Sequence, residues 1–498
     1  MNRRRFAQLS FAAAVAAGLP VTRAVAAILS PSSRVDADVD AVTGDGASVT
    51  LARAAVQELG ESLRGNLLLP GHAAYDDARR VLNASIDKRP ALIVQPKGAA
   101  DVKRAVDFAR ESSLLVAVKC GGHSFSGKST CDGGMMIDLS LLRSVRVDPS
   151  ARIAQVSGGS LLGDMDHETM AFGLVTTAGT VSHTGVGGLT LGGGFGRVAR
   201  RFGLALDNVS AVDIVTADGA LRHASAAENG DLFWGVRGSG GNLGVVTSFD
   251  FQLHPMDRQV IGGTIAFPLS QARQILSFYA DYGARAPNEL YMDAGLSGGA
   301  AGDSAWLLIC YSGLKSEADK ILRTIRSAGT PIFDDVKAVD YVALQKSGDV
   351  SDPRARGSYT KSGFIAELAP GMIDAIIDGF ESDPVRSTNL YFQHGGGAIA
   401  RVAPEATAFP HRHGLFNAMV LIDWPVAADP GPHIAWARRY WGTLESYTRG
   451  FYINEIGEEA QRVVNENYMG NYGRLLALKN RFDPTNLFRL NANIAPAA

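Results

Sequence analysis

Cysteine is scarce in this chain, with three in 498 residues: Cys120, Cys131 and Cys310. Their spacing matches no zinc or iron–sulfur pattern. An oxidising compartment would permit a Cys120–Cys131 bridge; three buried free thiols are the alternative. An excess of charge of one sign is also missing. The 48 Lys and Arg residues against 50 Asp and Glu leave a net charge of −2. With no basic stripe interleaved with aromatics, nucleic acid is not expected as a partner. Long apolar runs are absent too, so no stable membrane span is expected. The His411-Arg412-His413 triplet has no acidic or cysteine partner close by in sequence and reads as a loop, so no metal is assigned.

What is present is glycine, 56 residues of it, within an otherwise ordinary globular composition of 46% hydrophobic and 20% charged residues. The length allows two or three domains. The start, "MNRRRFAQLSFAAAVAAGLPVTRAVAA", opens on Arg3-Arg4-Arg5-Phe6, continues with a short alanine-rich run and ends in Ala24-Val25-Ala26. It resembles a twin-arginine export signal over residues 1–27, which implies a periplasmic or secreted protein. Residues 28–50 are small and polar and read as a tether, and 51–85 as a helical entry segment.

From residue 89 strands and helices alternate. "ALIVQP" is a short buried run, "AADVKRAVDFARESS" has apolar residues at helical spacing, and "LLVAVKC" is a second buried strand. Asp218-Gly219 between two alternating runs predicts a hairpin. Around residue 258 the character changes to strands such as "GGTIAFP", "LYMDAGL" and "SAWLLICYSG" with amphipathic helices between them. That pattern predicts an α+β domain with an antiparallel sheet over 258–440.

Two glycine clusters stand out, 121–127 and 185–196. Residues without Cβ allow positive φ and close backbone approach, so that successive amides can face one anion. Neither cluster fits the dinucleotide fingerprint, and no G-K-[ST] follows for a P-loop. Within the first cluster sits one imidazole, His123, in a loop otherwise cleared of large side chains.

"RPALIVQPKGAADVKRAVDFARE", "VKCGGHSFSG", "GVGGLTLGGGFG", "DNVSAVDIVTADG", "DLFWGVRGSGGNLGVVTSFDFQL" and "NYGRLLALKNRFDPTNLFRLNANIAP" occur in order. Together they resemble FAD-linked oxidases of the vanillyl-alcohol-oxidase superfamily, in the berberine-bridge-enzyme-like branch. The resemblance runs from about residue 75 to the C-terminus. It implies an α+β fold: a two-subdomain, PCMH-type FAD-binding module over 51–257 and an α+β substrate domain over 258–440. A C-terminal segment, 441–498, would return to the FAD module. It implies FAD bonded covalently through its 8α-methyl to His123, with Gly121, Gly122, Ser124, Ser126 and Gly127 around the pyrophosphate. The family's second, cysteinyl link aligns with Val181, which forms no thioether, so one covalent bond is expected. The family's later histidine aligns with Leu189.

The resemblance further implies cofactor contacts from Gly179, Thr180, Gly185, Gly187, Gly188, Gly192 and Gly193. Gly241, Asn242, Gly244 and Val246 would lie toward the adenine, and Asn491 and Asn493 would return to the flavin. Thr184 would face the oxygen-reactive edge. The "YIN" of residues 452–454 resembles the substrate-side motif, which makes Tyr452 the expected base, a role that suits a phenol whose surroundings lower its pKa, with Asn454 positioning nearby. Tyr391 and Gln393 would line the pocket from the α+β domain; Tyr468 and Tyr472 are further candidates there, with anchoring of the final helix as the alternative. The expected activity is hydride transfer from an alcohol or amine carbon of a small molecule to flavin, then electron transfer to O2 or another acceptor. A flavin-bearing protein that sequesters a small aromatic compound is the alternative.

Overall fold

Leu92–Gln95 is buried at every position and pairs in parallel with Met135–Asp138, which in turn pairs in parallel with Val116–Lys119. Strands covered on both faces are continuously apolar, as "LIVQ" and "VAVK" nearly are. The helix Ala99–Glu111 makes the crossover, burying Val102, Ala105, Val106 and Ala109 on one face. Asn66–Leu68 closes this four-stranded sheet with an antiparallel edge. The first glycine cluster leaves the sheet at the carboxyl end of Val116–Lys119, the end where open α/β sheets place ligands.

The structure is a computed structural model that describes residues 35–298, 302–349, 356–383, 388–455, 457 and 459–497. The expected export signal, 1–27, lies outside the described residues.

A five-stranded antiparallel sheet forms the second subdomain, in the order Leu221–Ser225, Val209–Val215, Val245–Gln252, Ile153–Ser157, Val145–Asp148. Asp218-Gly219 does turn the hairpin between the first two, with Gly219 at φ +75° and the Asp218 carboxylate accepting from the Thr216 hydroxyl at 2.6 Å.

The tether expectation is corrected in part. Val39–Val42 and Ser48–Leu51 pair as an antiparallel hairpin, and Ala41 and Leu51 are buried against the first sheet's core. Alternation of small apolar residues outweighs the polar composition there. The entry segment is likewise mixed: helix Arg53–Ser62, strand Asn66–Leu68 and a short helix Tyr75–Arg79.

The large antiparallel sheet of the third unit includes Gln259–Pro268, Ser304–Tyr311, Leu290–Ser297, Thr388–His394, Phe416–Pro425 and Arg356–Ile365. Helices Ala272–Arg285, Lys315–Arg326, Pro370–Glu381 and Pro430–Leu444 bury one of its faces through residues such as Ile275, Ile325, Ile376 and Tyr440. Because strand side chains alternate, Leu390 and Phe392 join that core while Tyr391 and Gln393 point to the opposite face. That opposite face looks onto the glycine clusters.

The C-terminal helices Gln461–Asn467 and Tyr472–Phe482 pack on the five-stranded sheet through Val464, Leu475, Leu478 and Phe482. A fully buried ion pair, Lys479–Asp483 at 2.6 Å, fixes the end of the last helix. Asp483 also accepts from the amides of Leu487 and Phe488, and Lys479 donates to the carbonyls of Asn242 and Phe488. The charges are paired and saturated with hydrogen bonds, the condition under which buried ions are tolerated.

Candidate active site

A cavity of about 290 Å³ lies where the two glycine clusters, the C-terminal tail and the large sheet meet. Gly121, Gly122, His123, Ser124, Ser126, Gly179, Thr180, Thr184, Gly185, Gly187, Gly188, Gly241, Gly244, Val246 and Asn491 line it. So do Tyr391, Gln393, Tyr452 and Asn454. Residues more than 300 positions apart are thus brought to one space.

Five of the expected cofactor residues sit outside that lining, each with neighbours of its own. A Cβ on Gly127 would meet the Ile86 side chain at 2.5 Å, so this glycine serves a turn at φ +67°. Cβ atoms on Gly192 and Gly193 would strike Asn454 at 2.0 Å and Tyr452 at 2.9 Å; these glycines make room for the two side chains. Asn242 is fully buried and ties the tail to the module, donating to the carbonyls of Ser239 and Ala492 and accepting from the amide of Ile494. Asn493 uses its carbonyl to accept from Gln461.

Part of the glycine content serves loop-to-loop contact. A Cβ on Gly121 would lie 2.4 Å from the Gly185 nitrogen, and one on Gly187 would lie 2.8 Å from the Gly158 carbonyl. The two clusters therefore touch through backbone. Gly188 is different: its Cβ would meet nothing within 4 Å, so that backbone faces open space in the cavity. Gly240 and Gly241 adopt positive φ in succession, at +69° and +85°. Amide-lined glycine backbone, Lys128, and the apolar Leu189, Leu191 and Val246 together fit a ligand that combines phosphate with a flat ring.

His123 is held between two polar neighbours. Its Nε2 is 2.6 Å from Nδ1 of His183, and its Nδ1 is 3.2 Å from the Thr184 hydroxyl. Burial, with the second imidazole alongside, pushes its pKa down to about 3, so the ring is neutral. The cysteines are unpaired thiols, which resolves the disulfide alternatives. Cys120 lies beside His123 in the cavity wall, and burial pushes its pKa up to about 11.

At the other end, Tyr452 is buried with its phenol oxygen accepting from the Gly194 amide and from Nδ2 of Asn454, both at 2.8 Å. Asn454 is oriented by a second bond from the same nitrogen to the Leu189 carbonyl. The backbone amide of Tyr452 donates to Ser362 of the large sheet. The condition of a lowered phenol pKa is not met before substrate binds. The two donors do lower it, but burial and the nearby Glu455 outweigh them, and the phenol is raised.

Glu455 itself went unread in the sequence, though it stands three residues beyond Tyr452. Its carboxylate accepts from Nδ2 of Asn417, which also donates to the Gln393 side chain. Burial pushes Glu455 up to about 8. Asn417 stands directly opposite Gln393 in the strand register, so one cross-strand pair holds the acid. Tyr391 lies nearby with its hydroxyl toward the sulfur of Met419. Tyr468 and Tyr472 pack in the core of the five-stranded sheet. His411 stacks on Phe364 and bonds to Asn467.

Comparison with known proteins places this geometry in a family. Residues 90–225 match the FAD binding domain family, and 451–495 match the "Berberine and berberine like" family. An FAD-linked oxidoreductase of Dictyostelium discoideum is 32% identical over 447 residues, covering 89% of this chain and 97% of that protein. The (R)-6-hydroxynicotine oxidase of Paenarthrobacter nicotinovorans is 30% identical, covering 87% of this chain and 97% of its own length. The structure of a chitooligosaccharide oxidase superposes with a TM-score of 0.81 at 25% identity, covering 89% of this chain and all of that one. With the PCMH-type α+β fold and no helix long and apolar enough to cross a membrane among the described residues, the chain belongs to the berberine-bridge-enzyme-like FAD-linked oxidoreductases.

Proposed function

We propose that the protein is an exported flavoprotein that carries FAD on one covalent bond from His123 and oxidises an alcohol or amine carbon of a small organic molecule. The observation that carries this reading is the shared cavity, lined both by His123 and by the Tyr452–Asn454 pair. FAD, held by His123 and the glycine loops, would supply a two-electron acceptor for the substrate's hydride and a donor to O2 or another acceptor.

The chain's own residues manage the proton. Tyr452, as phenolate, takes the proton from the substrate's hydroxyl or amine as the C–H bond breaks. The Gly194 amide and Asn454 stabilise the oxygen anion, in the manner of donors aimed at developing charge. Tyr391, Gln393 and Glu455 wall the substrate end, and the only Lys or Arg lining the cavity among the described residues is Lys128, in the first glycine loop. An anionic substrate would find no counter-charge beside Tyr452, so the substrate is neutral or cationic. Val181, in place of a second tether, supports a single link. Residues 1–27 support export, which fractionation of producing cells and N-terminal sequencing of the mature chain would check.

The test is anaerobic mixing of the purified protein with sugars, polycyclic alcohols, phenolics and amines while following the flavin absorbance. Bleaching by a neutral or cationic class is the expected result, and air readmission then separates oxidase from dehydrogenase. Bleaching by anionic compounds alone, or tight binding with no bleaching, would overturn the reading.

A further inference from the structure

His183 lies in "TVSHTGVGG", between the two glycine clusters, and the proposed chemistry leaves it unused. It does not line the main cavity. It lines a second one, of about 400 Å³, on the far side of His123, together with Arg80, Lys119, Asp138 and Arg143. His123 borders both cavities. The two rings meet at 4.7 Å between centroids and 46° between planes, edge toward edge, with the short nitrogen–nitrogen contact between them.

That contact constrains the protons. One hydrogen lies between Nε2 of His123 and Nδ1 of His183. If it is carried by His123, the Nδ1 lone pair of His123 is left for bonding, with only the Thr184 hydroxyl near it. The other nitrogen of His183, Nε2, is buried and has no hydrogen-bond partner. An imidazole with one nitrogen committed and the other unsatisfied is poorly explained as packing. Asp349 stands alongside: its carboxylate accepts from the Ser182 amide at 2.7 Å and from the Ser182 hydroxyl, one residue before His183. Its charge acts on His123 against the larger effects of burial and of His183, which keep that ring neutral.

We propose that His183 is the proton acceptor that readies His123 for covalent attachment of the flavin, a positioning residue acting through His123. This rests on the reading that His123 is the tether. In the step, a bond forms between Nδ1 of His123 and the 8α-carbon of FAD. One C–H bond of that methyl group and the Nε2–H bond of His123 break. His183 receives the imidazole proton through the existing hydrogen bond. The two electrons would enter the flavin ring, and O2 would remove them together with the two protons released, one from the methyl group and one from the imidazole by way of His183, as hydrogen peroxide, restoring oxidised flavin. With no acceptor behind it, the Nε2–H proton of His123 would have no hydrogen-bonded base to leave to as the new bond forms.

The experiment compares the full-length protein with His183→Ala, His183→Asn and His123→Ala, each produced with excess riboflavin. Total flavin is read from absorbance, and covalent flavin from the protein pellet after acid precipitation and from the intact mass. The tether reading requires acid-stable flavin in the natural protein and none in His123→Ala; failure of that control strikes the reading itself. Given that control, both His183 variants are expected to bind flavin but to hold at least tenfold less of it covalently. Added imidazole, entering the second cavity, should restore attachment in His183→Ala, which a purely structural role would not allow. Covalent flavin equal to the natural protein's in either variant would overturn the proposal, as would loss of all flavin binding in both or failure of imidazole to rescue.

Discussion

Asn454 donates to the phenol oxygen of Tyr452 at 2.8 Å while the same nitrogen is held by the Leu189 carbonyl at 2.9 Å. The amide is thus fixed by the second glycine cluster, and it fixes the phenol in turn. With the Gly194 amide also donating, both usual acceptor positions of the neutral phenol are filled, and its own hydrogen is directed elsewhere. Tyr452→Phe removes that oxygen. Flavin content should be unchanged, while the rate of anaerobic bleaching falls by about 10²-fold or more, the usual weight of a positioned acid–base group. Stopped-flow absorbance with any substrate that bleaches the natural protein measures it.

The same pair predicts the pH profile. Burial raises Tyr452, so the phenolate is scarce at neutral pH and the bleaching rate should climb on the alkaline side. Glu455 loses its proton near 8, before Tyr452, and its negative charge then opposes phenolate formation. Glu455→Gln removes that charge and should move the alkaline limb to lower pH. A limb that vanishes would show that Glu455 and not Tyr452 governs it, and one that stays in place would show that the Glu455 charge does not bear on the phenol.

Asn454→Ala takes away one of the two side donors. A hydrogen bond to an ionised group is worth roughly 1.5–3 kcal/mol, so the phenolate should become about 10- to 100-fold rarer at a given pH. The alkaline limb should shift upward, opposite to the Glu455→Gln effect, with substrate binding little altered. Measuring both variants across one pH series separates the two causes.

How far the sequence reached differs by element. Buried parallel strands, the crossover helix 99–111 and the Asp218-Gly219 hairpin were legible because period and turn chemistry are local signals. The hairpin at 39–51 was not, since its polar composition concealed two inward residues, Ala41 and Leu51. In the site, His123 and Tyr452 stood out from their motifs. His183 and Glu455 did not, because their roles come from partners 60 and 38 positions away, His123 and Asn417. The sign of the Tyr452 shift was equally hidden: the motif suggests the donors, but burial is a property of the assembled sheet. Gly127, Gly192 and Gly193 each lie against a neighbouring side chain, and a glycine required by such a neighbour looks the same in sequence as one required by a ligand.

Two glycines test that distinction directly. In Gly121→Ala the new methyl would sit 2.4 Å from the Gly185 nitrogen, forcing the two loops apart. Overpacking of this kind costs about 1–3 kcal/mol, and the melting temperature should fall along with flavin content. Gly188→Ala places its methyl in open cavity space, so the fold should keep its melting temperature without flavin while flavin loading drops. Equal behaviour of the two variants would contradict the assignment of Gly121 to loop contact and Gly188 to the cavity.

Asn242 offers the last test, because it joins stability to the site through the tail. Its side chain is wholly buried and satisfies the Ala492 carbonyl at 2.9 Å and the Ile494 amide at 3.0 Å, which flank Asn493 and follow the cavity-lining Asn491. Asn242→Leu has similar volume but leaves that carbonyl and amide buried without partners, at a cost of about 1–3 kcal/mol each. The tail is otherwise held by Ala492 and Ile494 in the sheet core, by the bond from Gln461 to the Asn493 carbonyl, and by bonds from Asn491 to the Gly241 carbonyl and from the Ala497 amide to Asn480. It should therefore detach in part instead of unfolding the module. Hydrogen exchange should show faster exchange over residues 488–497 with the five-stranded sheet unchanged, and flavin binding should weaken because Asn491 and Ala492 leave the cavity wall. Unchanged exchange in the tail would mean that the Asn242 hydrogen bonds do not hold it.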